Sequence, residues 1–138
     1  MRGAHQPRPD REVFELDFEI TPADIDENGH VNNVVYVRWM QDAGTAHWDA
    51  RFSPEERAQW SWVAVRHEVD YRRQLLPGDT VHIRTWVGDV EGAKFPRYVL
   101  IEGPNGLAAQ GKTEWALVDA RFRPQRIPPW MVERLGRS

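Results

Sequence analysis

The chain has 138 residues, no cysteine and a formal charge of −3 with both signs interspersed. That length suits one domain, which on folding buries roughly two thirds of the surface of its unfolded chain. Disulfides, a thiol nucleophile and thiolate metal sites are excluded, the charge gives no nucleic-acid footprint, and no apolar run nears the ~18 residues of a membrane span.

Residues 1–10 are polar and hold two prolines. They lack the apolar core of a signal peptide and are expected to form a flexible N-terminal tail, ahead of a single domain over 11–138. Cytoplasmic location follows as the default. Residues 13–20 alternate: Phe14, Leu16, Phe18 and Ile20 against Glu15, Asp17 and Glu19. That pattern predicts a half-buried strand, with Pro22 beyond its end.

The next segment runs Asp24-Ile-Asp26-Glu27-Asn28-Gly29-His30-Val31-Asn32-Asn33. Asn28-Gly29 is a turn dipeptide in which glycine tolerates positive φ. Asn32 and Asn33 stand where a helix N-cap belongs, just before an apolar run. A helix start offers unpaired N–H groups and partial positive charge. Carboxylates, an imidazole and an anion site thus fall within ten residues, which is most of what acyl transfer needs.

Residues 33 to about 50 read as a helix with a wide apolar face: Val35, Trp39, Ala46 and Ala50 in one stripe, Tyr36, Met40, Ala43 and His47 in the next. Gly44 weakens its last turns. Ser53-Pro54 opens a short second helix to about Gln59. Residues 62–73 alternate, with Val63, Val65, Val69 and Tyr71 on one face. Pro77-Gly78-Asp79 is a turn, and further strands follow at 80–90, 93–102 and 107–120. Pro96 argues for an edge or a bulge in the strand that holds it, and Gly111 for a close backbone approach. Pro104-Asn105-Gly106 is a hairpin signal. Residues 127–135 read as a terminal helix or an extended cap. Tight turns between consecutive strands predict antiparallel pairing. The economical architecture is α+β: an antiparallel sheet of about five strands wrapped around one long central helix. The seven tryptophans fill the core or line a pocket or subunit interface.

The motif formed by Asp24, Asp26, Gly29-His30-Val31-Asn32-Asn33, Tyr36 and Trp39 resembles that of the hotdog-fold thioesterases of the 4-hydroxybenzoyl-CoA thioesterase type, including long-chain acyl-CoA thioesterases. The element order is similar along nearly the whole chain. So are the segment from Val69 through Tyr71 to Pro77-Gly78-Asp79 and the closing Arg123-Pro124, Arg126-Ile127-Pro128. The resemblance implies a hotdog fold and Asp26 as the catalytic carboxylate. It also implies an oxyanion-binding backbone N–H at or near Asn33, and a homodimer or dimer of dimers with each site built from two chains. Asp26, Asn28 and His30 also resemble the Asp-x-Asn-x-His cluster of plant acyl-carrier-protein thioesterases. Those enzymes carry a glutamate and a cysteine after a Tyr-Arg-Arg; here Tyr71-Arg72-Arg73 is followed by Gln74-Leu75. A helical carboxylate used by another branch has no evident counterpart, although Gln41 and Asp42 lie in the region.

Asp26 would attack a thioester carbonyl or activate a water, with helix N–H groups stabilising the oxyanion. The alternative is an Asx-turn that only shapes the loop. His30 would hold Asp26 or the substrate carbonyl, or be a turn histidine bonded to backbone. Asn28, Gly29, Val31, Asn32, Tyr36 and Met40 are the expected substrate-contacting positions. Turn shaping, capping and core packing are their alternatives. Arg72, Arg73, Lys94, Arg97 and Lys112 are candidates for gripping phosphates, or a solvated strand face. No histidine spacing suggests a metal site, and no cofactor is expected beyond coenzyme A as part of the substrate. The expected substrate is acyl-CoA or an acyl-carrier-protein thioester, with no nucleic acid or membrane as partner. A non-catalytic acyl-CoA-binding module is the alternative. A hydratase or dehydratase is less favoured, because its Asp-x-x-x-x-His spacing is matched by neither Asp24 nor Asp26 with His30.

Overall fold

A computed structural model describes residues 3–136; Met1, Arg2, Arg137 and Ser138 lie outside the described residues. Five strands form one antiparallel sheet: β1 (Phe14–Glu19), β2 (Ser61–Tyr71), β3 (Thr80–Val87), β4 (Lys94–Gly103) and β5 (Gly106–Val118), in the spatial order β1-β3-β4-β5-β2. Helix α1 (Asn33–Arg51) lies against the sheet, α2 (Pro54–Arg57) follows it, and α3 (Pro129–Gly136) closes one end. This is the α+β hotdog arrangement expected of the sequence.

The apolar face of α1 holds this together. Val35, Tyr36, Trp39, Met40, Ala43, Gly44, His47 and Trp48 are buried, while Ala50 is exposed. The face therefore ends on Trp48, not on the stripe through Ala46 and Ala50. Around the first half of α1, Trp39 and Met40 pack with Ile83, Val99, Ile101 and Ala109. Around its second half, Trp48 and Phe52 pack with Phe95, Leu117 and Met131. Two glycines let the helix sit close. A Cβ on Gly111 of β5 would overlap the Met40 thioether, and one on Gly44 would press to 3.3 Å from Arg97 Cδ. Gly44 therefore sits within α1 without ending it.

Three expectations change. β2 and β3 are consecutive but not neighbours: residues 72–79 carry the chain across the end of the sheet. The N–H groups of Arg72 and Arg73 donate to the Ala108 carbonyl, and the Leu75 carbonyl accepts from Val31. Pro96 lies in β4, an interior strand; its carbonyl accepts from Gly88 N–H, but it has no N–H to return, and the β3 ladder stops at Val87. In β2 the register shifts between Ala64 and Arg66, so Val65 is an extra residue. The bulge reverses the pleat: Val63 and Val65 are exposed, while Val69 packs on the core.

Residues 3–13 contain no helix or strand but lie against the folded chain. The His5 ring meets Tyr98 edge-on at 5.1 Å, and the Gln110 side chain bonds His5 N and the Gly3 carbonyl. Further on, Glu12 binds Arg51 and His47 of α1.

Candidate functional site

The loop between β1 and α1 is fixed first by Asp24. It is 1% exposed, and its carboxylate accepts from Thr21 N–H at 2.9 Å and Arg38 at 2.7 Å. Burial acts to raise its pKa, but these hydrogen bonds outweigh it and hold the carboxyl below the usual range. The Asp24 carbonyl accepts from Asn32 N–H at 2.8 Å, and Ile25 bridges Val31. The ends of the loop are thereby pinned, and its tip, Asp26–Gly29, turns with Gly29 at φ 80°.

Asp26 sits at the base of that turn. One carboxylate oxygen, Oδ1, accepts from the N–H groups of Asn28 (2.9 Å) and His30 (3.2 Å). The other, Oδ2, makes no hydrogen bond among the described residues. The Asp26 N–H donates to the His30 carbonyl at 2.8 Å. It is thus the backbone of His30 that orients Asp26.

Asn32 is the N-cap of α1, its side-chain oxygen accepting from Val34 N–H at 3.2 Å. Asn33 opens the helix, and its own N–H has no acceptor among the described residues. An open cavity of about 430 Å3 joins these groups: Asp26, Asn28, His30, Val31, Asn32, Asn33 and Tyr36 line it, together with Tyr71 and Arg72–Gln74. Asp26 is the only carboxylate in that lining, which also includes Arg72, Arg73 and the first residue of α1. Gly29 stands outside it at the turn tip. Met40 is buried one turn further along α1, against Gly111.

Tyr71 had no functional reading in the sequence. Its hydroxyl donates to the Asn33 carbonyl at 2.9 Å and its ring meets Tyr36 edge-on at 5.2 Å, so it steadies the first turn of α1. The signal was only its position at the end of β2 ahead of two arginines. Of the five basic residues considered for phosphate, Arg72 and Arg73 reach this cavity. Lys94 pairs with Glu114, Lys112 lies over the Tyr98 ring, and Arg97 is buried elsewhere. Asp42 is exposed, and Gln41 bonds His67 of β2 at 3.2 Å. Among the described residues no group of three or more histidine or acidic side chains converges as for a metal ion, and no helix is long and apolar enough to cross a membrane.

Comparison with known proteins matches residues 20–135 to the model of the thioesterase-like superfamily. No curated protein matches the chain. Among solved structures, a thioesterase from Thermus thermophilus, complexed with coenzyme A and Zn, is 27% identical with a TM-score of 0.77, covering 91% of this chain and 98% of that one. A predicted thioesterase from Bacillus stearothermophilus is 22% identical with a TM-score of 0.77 over 90% of this chain and 94% of its own. A Staphylococcus aureus protein in complex with CoA has a TM-score of 0.77 at 14% identity, over 96% of this chain and 91% of its own. The last two bear on the fold alone.

Proposed function

The chain belongs to the thioesterase-like superfamily, and on that premise we propose that it hydrolyses an acyl-CoA or acyl-carrier-protein thioester at the cavity beneath Asp26. One observation carries the reading: the unengaged oxygen of Asp26 and the unpaired N–H of Asn33 belong to residues that line one cavity. A thioester carbonyl between them would have a base or nucleophile on one side and an oxyanion donor on the other. Asp26 takes a proton from water, or attacks directly to give an anhydride that water then opens. In either route the C–S bond breaks, the thiol leaves and the free acid remains. Charge grows on the carbonyl oxygen, and losing one donor such as Asn33 N–H costs about 3–4 kcal/mol in other hydrolases.

His30 faces the same space as a partner for the carbonyl or the attacking water. Asn28, Val31, Asn32 and Tyr36 shape the wall, while Gly29 forms the turn tip above it and Met40 packs α1 on the sheet. Arg72 and Arg73 suit the phosphates of coenzyme A, and the complex of the Thermus thermophilus relative with coenzyme A supports that choice. Residues 11–138 act as one domain, in a cytoplasmic homodimer or dimer of dimers.

The test is thiol release from short, medium, long and aryl acyl-CoAs by the native protein and Asp26→Asn. The amide oxygen of asparagine can accept the same two backbone bonds, so the fold is kept while turnover falls about 10²–10⁴-fold. Full activity in the variant would move the chemistry elsewhere. A second reading, a non-catalytic acyl-CoA-binding module, is favoured by the Asx-turn bonds of Oδ1. Tight acyl-CoA binding without turnover, unchanged in Asp26→Ala, would select it.

A further inference from the structure

A second cavity, of about 300 Å3, lies by the C-terminal half of α1 and shares no lining residue with the Asp26 cavity. Its walls are aromatic: Trp48, Trp60, Trp62, Phe95 and Trp115. Arg97 also lines it, and that is anomalous. The residue is 5% exposed, and no ion pair to its guanidinium is present among the described residues. Nη1 donates to His47 Nδ1 and to Thr85 Oγ1, both at 3.1 Å. Among the described residues Nε and Nη2 make no hydrogen bond, yet neither is sealed from the surface. The carboxylate beyond His47, that of Glu12, is already held by Arg51 at 2.6 Å and by His47 at 2.7 Å. His47 itself is neutral at pH 7, since burial and the neighbouring Arg97 bring its pKa down to about 4. Arg97 keeps its charge even though burial lowers it to about 10.

A buried cation without a counter-charge is costly, and proteins pair such groups or bind an anion to them. The indole N–H of Trp115, in the same lining, is buried with no acceptor among the described residues. Gly44 separates the two groups: a Cβ there would lie 3.3 Å from Arg97 Nε and 3.7 Å from Trp115 Cζ2. Without a side chain at Gly44, Arg97 can lie close against α1 at the polar end of the cavity.

We propose that this cavity binds a small apolar monocarboxylate, its carboxylate on Arg97 and its hydrocarbon body between the tryptophans. The volume is at the low end of the roughly 300–1,000 Å3 of ligand sites, which suits one or two rings or a medium alkyl chain. The site needs no thioester chemistry, so it stands or falls separately from the hydrolase reading.

The experiment titrates the native protein with 2-naphthoate, octanoate and the uncharged 2-naphthamide, read by tryptophan fluorescence and calorimetry. The acid is expected to bind about tenfold or more tightly than the amide, because only the carboxylate makes a charged pair with the guanidinium. Naphthoate ahead of octanoate assigns an aryl ligand, and the reverse assigns an aliphatic one. Equal binding of acid and amide, or no binding of either acid, overturns the proposal. Arg97→Gln should remove the preference for acid over amide. The acid-to-amide ratio on native protein decides the matter even if Arg97→Gln does not fold.

Discussion

His47 is held from both sides, and its tautomer follows from its partners. Nδ1 accepts from Arg97, so Nε2 carries the proton and donates to Glu12 Oε1 at 2.7 Å. Stacking on Phe14 at 4.8 Å completes the enclosure. Desolvation and the Arg97 charge bring the folded pKa from 6.5 to about 4. The unfolded state therefore binds more protons between those values, and stability rises with pH across that window. The contribution is fully present above about pH 6.5 and is lost as pH falls toward 4. Glu12, on which burial acts upward but Arg51 and His47 act more strongly downward, adds a loss in the same direction below the ordinary carboxylate range. We expect chemical denaturation of His47→Gln, followed from pH 7.5 to 4, to show a shallower loss than the native protein, by roughly 1–3 kcal/mol at the acid end. Parallel curves would mean that His47 does not titrate on unfolding. The neighbouring pair Asp24 and Asp26 makes a related point. The two are alike in sequence, but one is a buried partner of Arg38 and the other presents an oxygen to a cavity. Spacing alone could not separate them; the resemblance implied a catalytic role for Asp26, and of the two carboxylates only Asp26 lines the cavity.

Helix α1 and strand β5 meet where Met40 lies on Gly111. Gly111→Ala would push its Cβ into the thioether and to 3.1 Å from the Glu68 carbonyl. Overpacking of this kind costs about 1–3 kcal/mol. Met40→Ala removes the obstructing atoms at its own cavity cost. Thermal or denaturant melts of the double variant should therefore show less loss than the sum of the single variants, and strict additivity would refute the contact. This glycine was readable as a close approach because a bare backbone inside a strand has few other uses. The cap at Asn32, the strand β1 and the span of α1 were readable because they depend on neighbours in sequence. The bulge at Val65, the interior position of Pro96 and the separation of β2 from β3 were not, since each is set by a strand distant in the chain. The Arg97–His47–Glu12 cluster escaped for the same reason: it joins β4, α1 and the segment before β1.

At the scale of the molecule, the two edges of the sheet are unequal. β1 is six residues long, whereas β2 is eleven and carries exposed Val63 and Val65, at 39% and 51%. A long edge with apolar side chains and an unpaired row of backbone groups is a template for another strand. A second copy of the chain can supply that strand, since antiparallel pairing of β2 with itself satisfies both copies by one two-fold axis. Light scattering on the purified protein should then give twice the mass of one chain, or four times where such dimers pair. Replacing Val63 and Val65 together by lysine sets like charges along the edge and should shift the equilibrium toward monomer by about tenfold or more. Both sites in β2 are exposed, so the monomer should keep its fold by circular dichroism. Activity then separates two designs. Tyr71, at the other end of β2, anchors the first turn of α1 beside the Asp26 cavity. If each site is built from two chains, thiol release falls in step with the dimer and recovers at high protein concentration. A monomeric variant that keeps the native rate would mean that the cavity beneath Asp26 works within a single chain.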